Sequence, residues 1–95
     1  MADVVVTIQI MPESPDVNLE FVKEEAIKHV ISFAKLPGKD HVKVEIEPVA
    51  FGLKMVKLLF FMVESIGSTE PLEEKIRTIS GVNSAETTDV RRAIG

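Results

Sequence analysis

The sequence predicts an α+β fold, in which a four-stranded antiparallel sheet carries two helices on one face. Hydrophobic periodicity along the 95 residues gives the element order strand, helix, strand, strand, helix, strand. The first and third predicted strands are the apolar ones, whereas the second and fourth carry charge and threonine, as edge strands do. Together these observations indicate the ferredoxin-like, split βαβ arrangement (βαββαβ), formed by one domain covering residues 1–95.

The first half of the chain contains a predicted strand, a helix and a second strand. Residues 4–11 place valine or isoleucine at every second position, which is the period of a strand. Asp16 or Asn18 can cap the helix that follows, and Pro37 and Gly38 end it. Residues 41–49 then alternate apolar and polar side chains, as expected of a strand with one solvated face. The apolar stripe of the helix steps by three or four residues through Leu19, Val22, Ala26, Val30 and Phe33.

The second half contains a hairpin, a short helix and a polar last strand. Gly52 lies in the hairpin connection, and residues 53–64 form a strand that is apolar on both faces. A helix begins within residues 67–71, where proline is tolerated in the first turn. Gly81 is suited to a left-handed cap after this helix, and residues 82–92 form the last strand. The buried stripe of the second helix is Leu72, Ile76 and Ile79.

Composition and charge narrow the class of protein. The formal net charge of −4 argues against a dedicated nucleic-acid binder, which is normally basic. There are no cysteines, so disulfides and thiol catalysis are excluded. No secretory signal is visible, and the longest apolar run, residues 58–63, is too short to span a bilayer. We therefore expect a cytoplasmic protein that contacts neither nucleic acid nor membrane.

The side chains that enzymes use are sparse in this sequence. Its two histidines, His29 and His41, lie in the first helix and at a strand start, where surface or boundary positions are expected. No H-E-x-x-H spacing and no glycine-rich phosphate loop is present. RNA binding on an open sheet needs an aromatic platform, but Phe60 and Phe61 are adjacent and face opposite sides. Binding to a protein is the function class that remains.

The third strand predicts an exposed apolar surface. Helices cover one face of the sheet, so one of this strand's two apolar faces must lie open. The alternating sets are Met55, Leu59, Phe61 and Val63 on one face, and Val56, Leu58, Phe60 and Met62 on the other. Such a patch is typical of a partner interface, while self-association or a side chain folded over the sheet are the alternatives.

Three segments resemble the elongation factor 1-beta family. Residues 47–54, E-P-V-A-F-G-L-K, are similar to the E-P-I-A-F-G-L segment of the archaeal members. Residues 11–16, M-P-E-S-P-D, and residues 88–92, T-D-V-R-R, match the corresponding archaeal segments. The resemblance covers essentially the whole chain, with matching element order.

The resemblance implies a function, a partner and a set of contact residues. Members of this family promote GDP release and GTP loading on elongation factor 1-alpha, supporting peptide-chain elongation. They form no covalent intermediate and need no cofactor of their own, so we expect a non-enzymatic exchange factor, with a monomer favoured. The partner-binding residues that the resemblance implies are Phe51, Gly52, Leu53, Lys54, Arg91 and Arg92.

The two groups of contact residues are expected to have different roles. The family's hairpin aromatic, here Phe51, packs on one domain of the partner. In the eukaryotic exchange domain a lysine near the C-terminus enters the partner's magnesium site. Counted from Val82-x-Ser84, that lysine falls on Arg92, and Arg91 is the alternative. A strand of about ten residues spans roughly 33 Å, so Phe51 and Arg92 would bridge two domains of a large partner.

A second function remains open on the sequence alone. A ferredoxin-like regulatory domain would bind a small ligand and dimerise through its sheet. It would form a dimer without affinity for the GTPase, whereas an exchange factor would form a complex that GDP dissociates.

Overall fold

The computed structural model describes residues 3–92, which fold in the predicted element order. The strands are β1 (Asp3–Pro12), β2 (Val42–Pro48), β3 (Lys54–Val63) and β4 (Val82–Arg92), and the helices are α1 (Leu19–Ala34) and α2 (Glu70–Arg77). The order βαββαβ confirms the split βαβ prediction. Within the described range, neither α1 nor α2 is long and apolar enough to cross a membrane.

The sheet is antiparallel throughout, with the strand order β2-β3-β1-β4. The prediction that the first and third strands are central and the other two are edges is therefore confirmed. Val5 pairs with Phe61 of β3 on one side and with Arg91 of β4 on the other. Register shifts interrupt the β1–β4 pairing twice, between Thr7 and Ile8 and between Met11 and Pro12, so β4 changes its phase at both places.

Both helices pack on one face of the sheet, and the core lies between the helices and the sheet. In β3, Leu58 and Phe60 are buried there, while Phe61 lies on the other, open face. The open set is therefore Met55, Leu59, Phe61 and Val63. Lys57 lies among these apolar residues and forms an ion pair with Glu47. The side chains that fill the core between sheet and helices include Val6, Ile8, Ile10, Val22, Val30, Leu58, Phe60, Leu72 and Ile76.

The helix ends differ in detail from the prediction. Asn18, and not Asp16, caps α1, because its Oδ1 accepts a hydrogen bond from the Phe21 N–H at 3.2 Å. The helix ends at Ala34, and Lys35 follows in a left-handed conformation with φ of 57°. The helix therefore ends before Pro37 and Gly38, which were predicted to end it. Ile79 is buried as predicted but lies beyond the end of α2.

Candidate functional site

The connection between β2 and β3 is a tight turn that exposes Phe51. Phe51 and Gly52 both have positive φ, 63° and 76°, and the Leu53 N–H donates to the Ala50 carbonyl at 3.3 Å. This is the geometry of a type I′ turn, which suits the twist of a hairpin. Glycine takes such a conformation freely, but a phenylalanine does so only at an energetic cost. Phe51 is nevertheless 93% exposed, so its side chain gains almost no packing within the chain.

The Phe51 side chain does not anchor the turn, because it is almost fully exposed. The pairing of Val49 and Leu53, whose N–H and carbonyl lie 2.8 Å apart, closes the turn through backbone groups. Leu53 is half-buried and Lys54 is exposed at the start of β3. Backbone hydrogen bonds close the turn, and the phenyl ring is exposed to contact another molecule.

The loop between β1 and α1 supports this hairpin from the side. A Cβ on Gly52 would lie 3.7 Å from Cγ of Pro15, so the two segments are in close contact. A cleft of about 410 Å³ lies between them, lined in part by Pro12, Asn18 and Lys54. Two of the segments that resemble the elongation factor 1-beta family, residues 11–16 and 47–54, are thus neighbours in space. Their separation in the sequence gave no sign of this.

Gly81 connects the same loop to the start of β4. Its φ is +94°, and a Cβ built on it would lie 2.8 Å from Cγ1 of Val17. The Glu13 N–H also donates to the Gly81 carbonyl at 2.9 Å. The close approach requires glycine for two independent reasons, conformation and space. The loop between β1 and α1 is thus in close contact with both Gly52 and Gly81, and we call its residues 13–17 the platform under the hairpin.

An ion pair joins the two strands of the hairpin stem. Lys57 Nζ lies 2.9 Å from Oε1 of Glu47, on the open face. The hydrogen bond to Glu47 is the largest influence on the pKa of Lys57 and raises it, and the charges of Glu47 and Glu45 act in the same direction. Partial desolvation opposes this rise without cancelling it. Glu47, the first residue of the segment 47–54, therefore has a structural role in the stem.

The two tail arginines lie at the opposite end of the sheet and point to opposite faces. Arg91 pairs in register with Val5 on the open face, and Arg92 pairs with Val4 on the helix-covered face. Arg91 Nε lies 2.9 Å from Oδ2 of Asp89, which is on the same strand and face. Both arginine side chains are well exposed. The dipeptide therefore presents two separate guanidinium groups, each on its own side of the sheet.

Glu64 is a residue at this end that sequence reasoning missed. Its Oε1 lies 2.9 Å from Nη2 of Arg92, and it starts a short 3₁₀ turn after β3 and does not end the strand. The two residues are separated by 28 positions and come together because β3 and β4 both flank β1. No local pattern signals such a pair. Residues 93–95, which extend past the tail arginines, lie outside the described residues.

The hairpin turn and the tail are far apart, as expected. Phe51 follows the end of β2, next to the first residue of β3, while Arg92 pairs near the start of β1, opposite the last residues of β3. The long axis of the molecule measures 42 Å. A single small pocket therefore does not contact both ends.

The histidines and phenylalanines that were considered for catalysis and RNA binding lie where the sequence predicts. His29 is half-buried in α1 and His41 is exposed before β2, in agreement with boundary and surface positions. Phe60 is buried in the core and Phe61 is on the open face, so they do not form a stacking pair.

Known proteins are similar to this chain over a region that includes both the hairpin and the tail arginines. The sequence profile described as "EF-1 guanine nucleotide exchange domain" matches residues 5–93. A relative named Elongation factor 1-beta from Methanothermobacter thermautotrophicus is 42% identical over 92 residues, which are 97% of this chain and 98% of the relative. Relatives of the same name from Methanobrevibacter smithii and Staphylothermus marinus are 44% and 39% identical, with the same coverage. These matches favour exchange over the regulatory-domain alternative.

Proposed function

The chain belongs to the family of EF-1 guanine nucleotide exchange domains, and on this premise we propose how its two ends act on elongation factor 1-alpha. It is a guanine-nucleotide exchange factor that promotes GDP release and GTP loading during translation elongation. In the proposal, the hairpin end docks on one domain of the GTPase and the tail end acts near the nucleotide. Residues 1–95 work as one cytoplasmic domain, and a monomer is sufficient.

The exposure and the backbone conformation of Phe51 carry the docking part of the proposal. A bulky side chain in the left-handed region costs on the order of 1–3 kcal/mol. The 93% exposed ring adds unfavourable apolar hydration, and contacts within the chain offset little of either term. Burial of the ring in an apolar pocket of the GTPase would offset both. Gly52, Leu53 and Lys54 then flank the ring in the contact.

The charge and accessibility of Arg91 and Arg92 support the exchange part. Exposed ion pairs contribute about 0–1 kcal/mol, so each arginine can leave its own carboxylate for a stronger anionic group at little cost. The nucleotide site of the GTPase holds phosphates, magnesium and the carboxylates that orient the metal. A guanidinium placed there competes with magnesium for these anions and weakens the hold on GDP.

The coupling between the two proteins is reciprocal. A factor that lowers the affinity of the GTPase for nucleotide must bind the empty GTPase more tightly than the loaded one, by the same factor. No bond is made or broken, so exchange proceeds by protein–protein interaction without covalent chemistry. We therefore expect a stable complex with the empty GTPase, which GDP dissociates.

Stopped-flow release of a fluorescent GDP analogue tests the tail. The variants are Arg91→Ala, Arg92→Ala and the two combined, with Lys28→Ala on the exposed side of α1 as the control for lost positive charge. The combined variant should lose most of the stimulated release, while the Lys28 control retains it. Stimulated release that stays intact in the combined variant would show that the tail has no role in exchange.

A further inference from the structure

The open face of the sheet carries an apolar patch close to the tail arginines. Phe61 is 55% exposed, and the half-buried side chains of Val5 and Leu59 adjoin it on the neighbouring strand and on β3 itself. Packing within the chain does not account for the exposure of Phe61, because the neighbouring Phe60 already fills the core. Contact with another molecule would explain the exposed patch.

The register of the sheet places Arg91 in line with this patch. Val5 pairs with Phe61 on one side and with Arg91 on the other, and all three side chains are on the open face. Neighbouring strands lie about 4.8 Å apart, so the Phe61 and Arg91 backbones are roughly 10 Å apart. We call Phe61, Val5 and Arg91 the open-face row. Arg92, on the other face, is not part of it.

The surface around Phe61 is shaped to receive side chains. A cleft of about 380 Å³ lies on one side of the ring, lined by His41, Lys43 and Leu59 among others. A second cleft, of about 190 Å³, lies on the other side, next to Leu36. Phe61 therefore lines both clefts, and β1 contributes Val5 to the first and Asp3 to the second.

We propose that the open-face row is one contact surface for the GTPase, which binds an apolar side chain beside a carboxylate or phosphate. This rests on the proposed function, because the occupant follows from continuity with the tail: a partner that takes the Arg91 guanidinium lies next to Val5, whose other neighbour in the row is Phe61. Aromatic rings and arginine are also the residues enriched at the centres of interfaces. A second copy is a poorer occupant, since two chains of net charge −4 repel each other.

The proposal divides the work of the two tail arginines. Arg91 acts together with Phe61 and contributes to affinity, because both contact the same partner surface. Arg92, which faces the other way, is independent of Phe61. Two adjacent arginines of similar exposure therefore lie on opposite faces, and the Arg92 variant serves as the matched control for the Arg91 variant.

A double-mutant cycle on binding to the nucleotide-free GTPase tests this division. The single variants are Phe61→Ala, Arg91→Ala and Arg92→Ala, and Phe61→Ala is combined with each arginine variant. Phe61→Ala should raise the Kd about tenfold or more, as expected for a central aromatic contact. Its effect should depend on Arg91 by at least about twofold and should not depend on Arg92, because only residues that share a partner couple. Phe21→Ala in α1 is the control, since Phe21 is similarly exposed on the helical side.

Circular dichroism first confirms that each variant is folded. If Phe61→Ala is not, Phe61→Thr replaces it, because threonine favours strands. Equal effects of the Phe61 and Phe21 variants on Kd would overturn the proposal. So would a Phe61 variant that converts a dimer of the free chain to a monomer in sedimentation but leaves the Kd unchanged.

The outcome is separable from that of the tail experiment. If Phe61→Ala leaves the Kd unchanged while the combined arginine variant loses stimulated GDP release, the open-face row is wrong and the tail role stands. If Phe61→Ala weakens binding and couples to Arg91 while stimulated release survives loss of both arginines, the row is supported and the tail role fails.

Discussion

The hairpin end exposes an apolar ring on a strained backbone, whereas the tail end exposes two guanidinium groups, each held in an ion pair. Phe51 is positioned by a closed turn that rests on the loop between β1 and α1. Arg91 and Arg92 depend instead on the last residues of an edge strand and on the carboxylates of Asp89 and Glu64.

The contrast indicates which kind of contact each end is suited to make. A ring on a locked turn loses little conformational entropy on binding, so it is preorganised for affinity. Long charged side chains in exposed pairs adapt easily and are weakened by salt, so they suit a transient contact near a charged site. The same reasoning predicts that the loop supporting the hairpin contributes strongly to stability and Phe51 to affinity, and that changes to the ion pairs of the tail have smaller effects on stability.

The largest expected effect is at the platform under the hairpin. Gly81→Ala would place a Cβ 2.8 Å from Val17 while forcing alanine to keep a φ of +94°. We expect a loss of about 3 kcal/mol, from strain and overpacking together. For a domain of this size this lowers the Tm by on the order of 10–20 °C in a thermal melt.

Gly38→Ala is the control for that prediction. No atom lies within 4 Å of a Cβ at Gly38, and its backbone is extended. This variant should melt close to the unmodified chain. Similar melting temperatures for the two variants would show that the close contact between Gly81 and Val17 does not limit stability.

The next effect concerns Phe51 itself. Phe51→Ala should weaken binding to the GTPase by about 2 kcal/mol, or roughly 30-fold in Kd, in isothermal titration calorimetry. The stability of the free chain should not fall, because the ring makes almost no internal contact. Phe51→Gly should bind equally weakly and melt at a higher temperature, because glycine relieves the left-handed strain. Tight binding by both variants would show that the hairpin end is not part of the interface.

A smaller effect is expected where β4 is fastened to α2. The Thr87 hydroxyl donates to Oε2 of Glu73 at 2.8 Å and contacts Oγ1 of Thr69 at 2.7 Å. Thr87→Val removes this partly buried bond and should cost about 1–2 kcal/mol in urea unfolding. Thr88→Val, at an exposed position next to it, should cost much less. Equal losses would mean that the hydroxyl network does not hold the tail strand.

The smallest effect is expected at the ion pair of Arg92. Glu64→Gln removes its partner carboxylate, yet both side chains are largely exposed, so stability should change by less than about 1 kcal/mol. Association with the GTPase should become up to a few-fold tighter at low salt, because Arg92 no longer has to leave Glu64, and the gain should vanish at high salt. Glu74→Gln on exposed α2 is the control. An unfolding loss above 2 kcal/mol would contradict the view of the tail as a loosely held end.

Much of the fold was predictable because the hydrophobic pattern is local. Alternation in residues 41–49 and the helical stripe from Leu19 to Phe33 each depend on neighbours a few positions away. The assignment of Asn18 over Asp16 as the cap was not predictable, because both residue types cap helices equally well. The left-handed Lys35 was missed for a similar reason, since lysine carries no local signal for that conformation.

The candidate site divides in the same way. The segment around Phe51 was found from its sequence, but the positive φ of Phe51 was not, because a glycine beside it is expected to absorb the turn alone. The tail arginines were found as a pair, but their opposite directions follow from the alternation of side chains in β4 against β1. Their partners, above all Glu64, depend on contacts between distant parts of the chain.

The sequence by itself determined the element order, the central and edge strands and the two segments that are proposed to carry function, because each of these depends on patterns spanning a few residues. Only the tertiary structure decided which face of β3 lies open. Phe60 and Phe61 are chemically identical and adjacent, so the pattern cannot rank them, and the packing of both helices on one face buries the first and exposes the second. That choice, made by contacts across the whole fold, places Phe61 in line with Arg91.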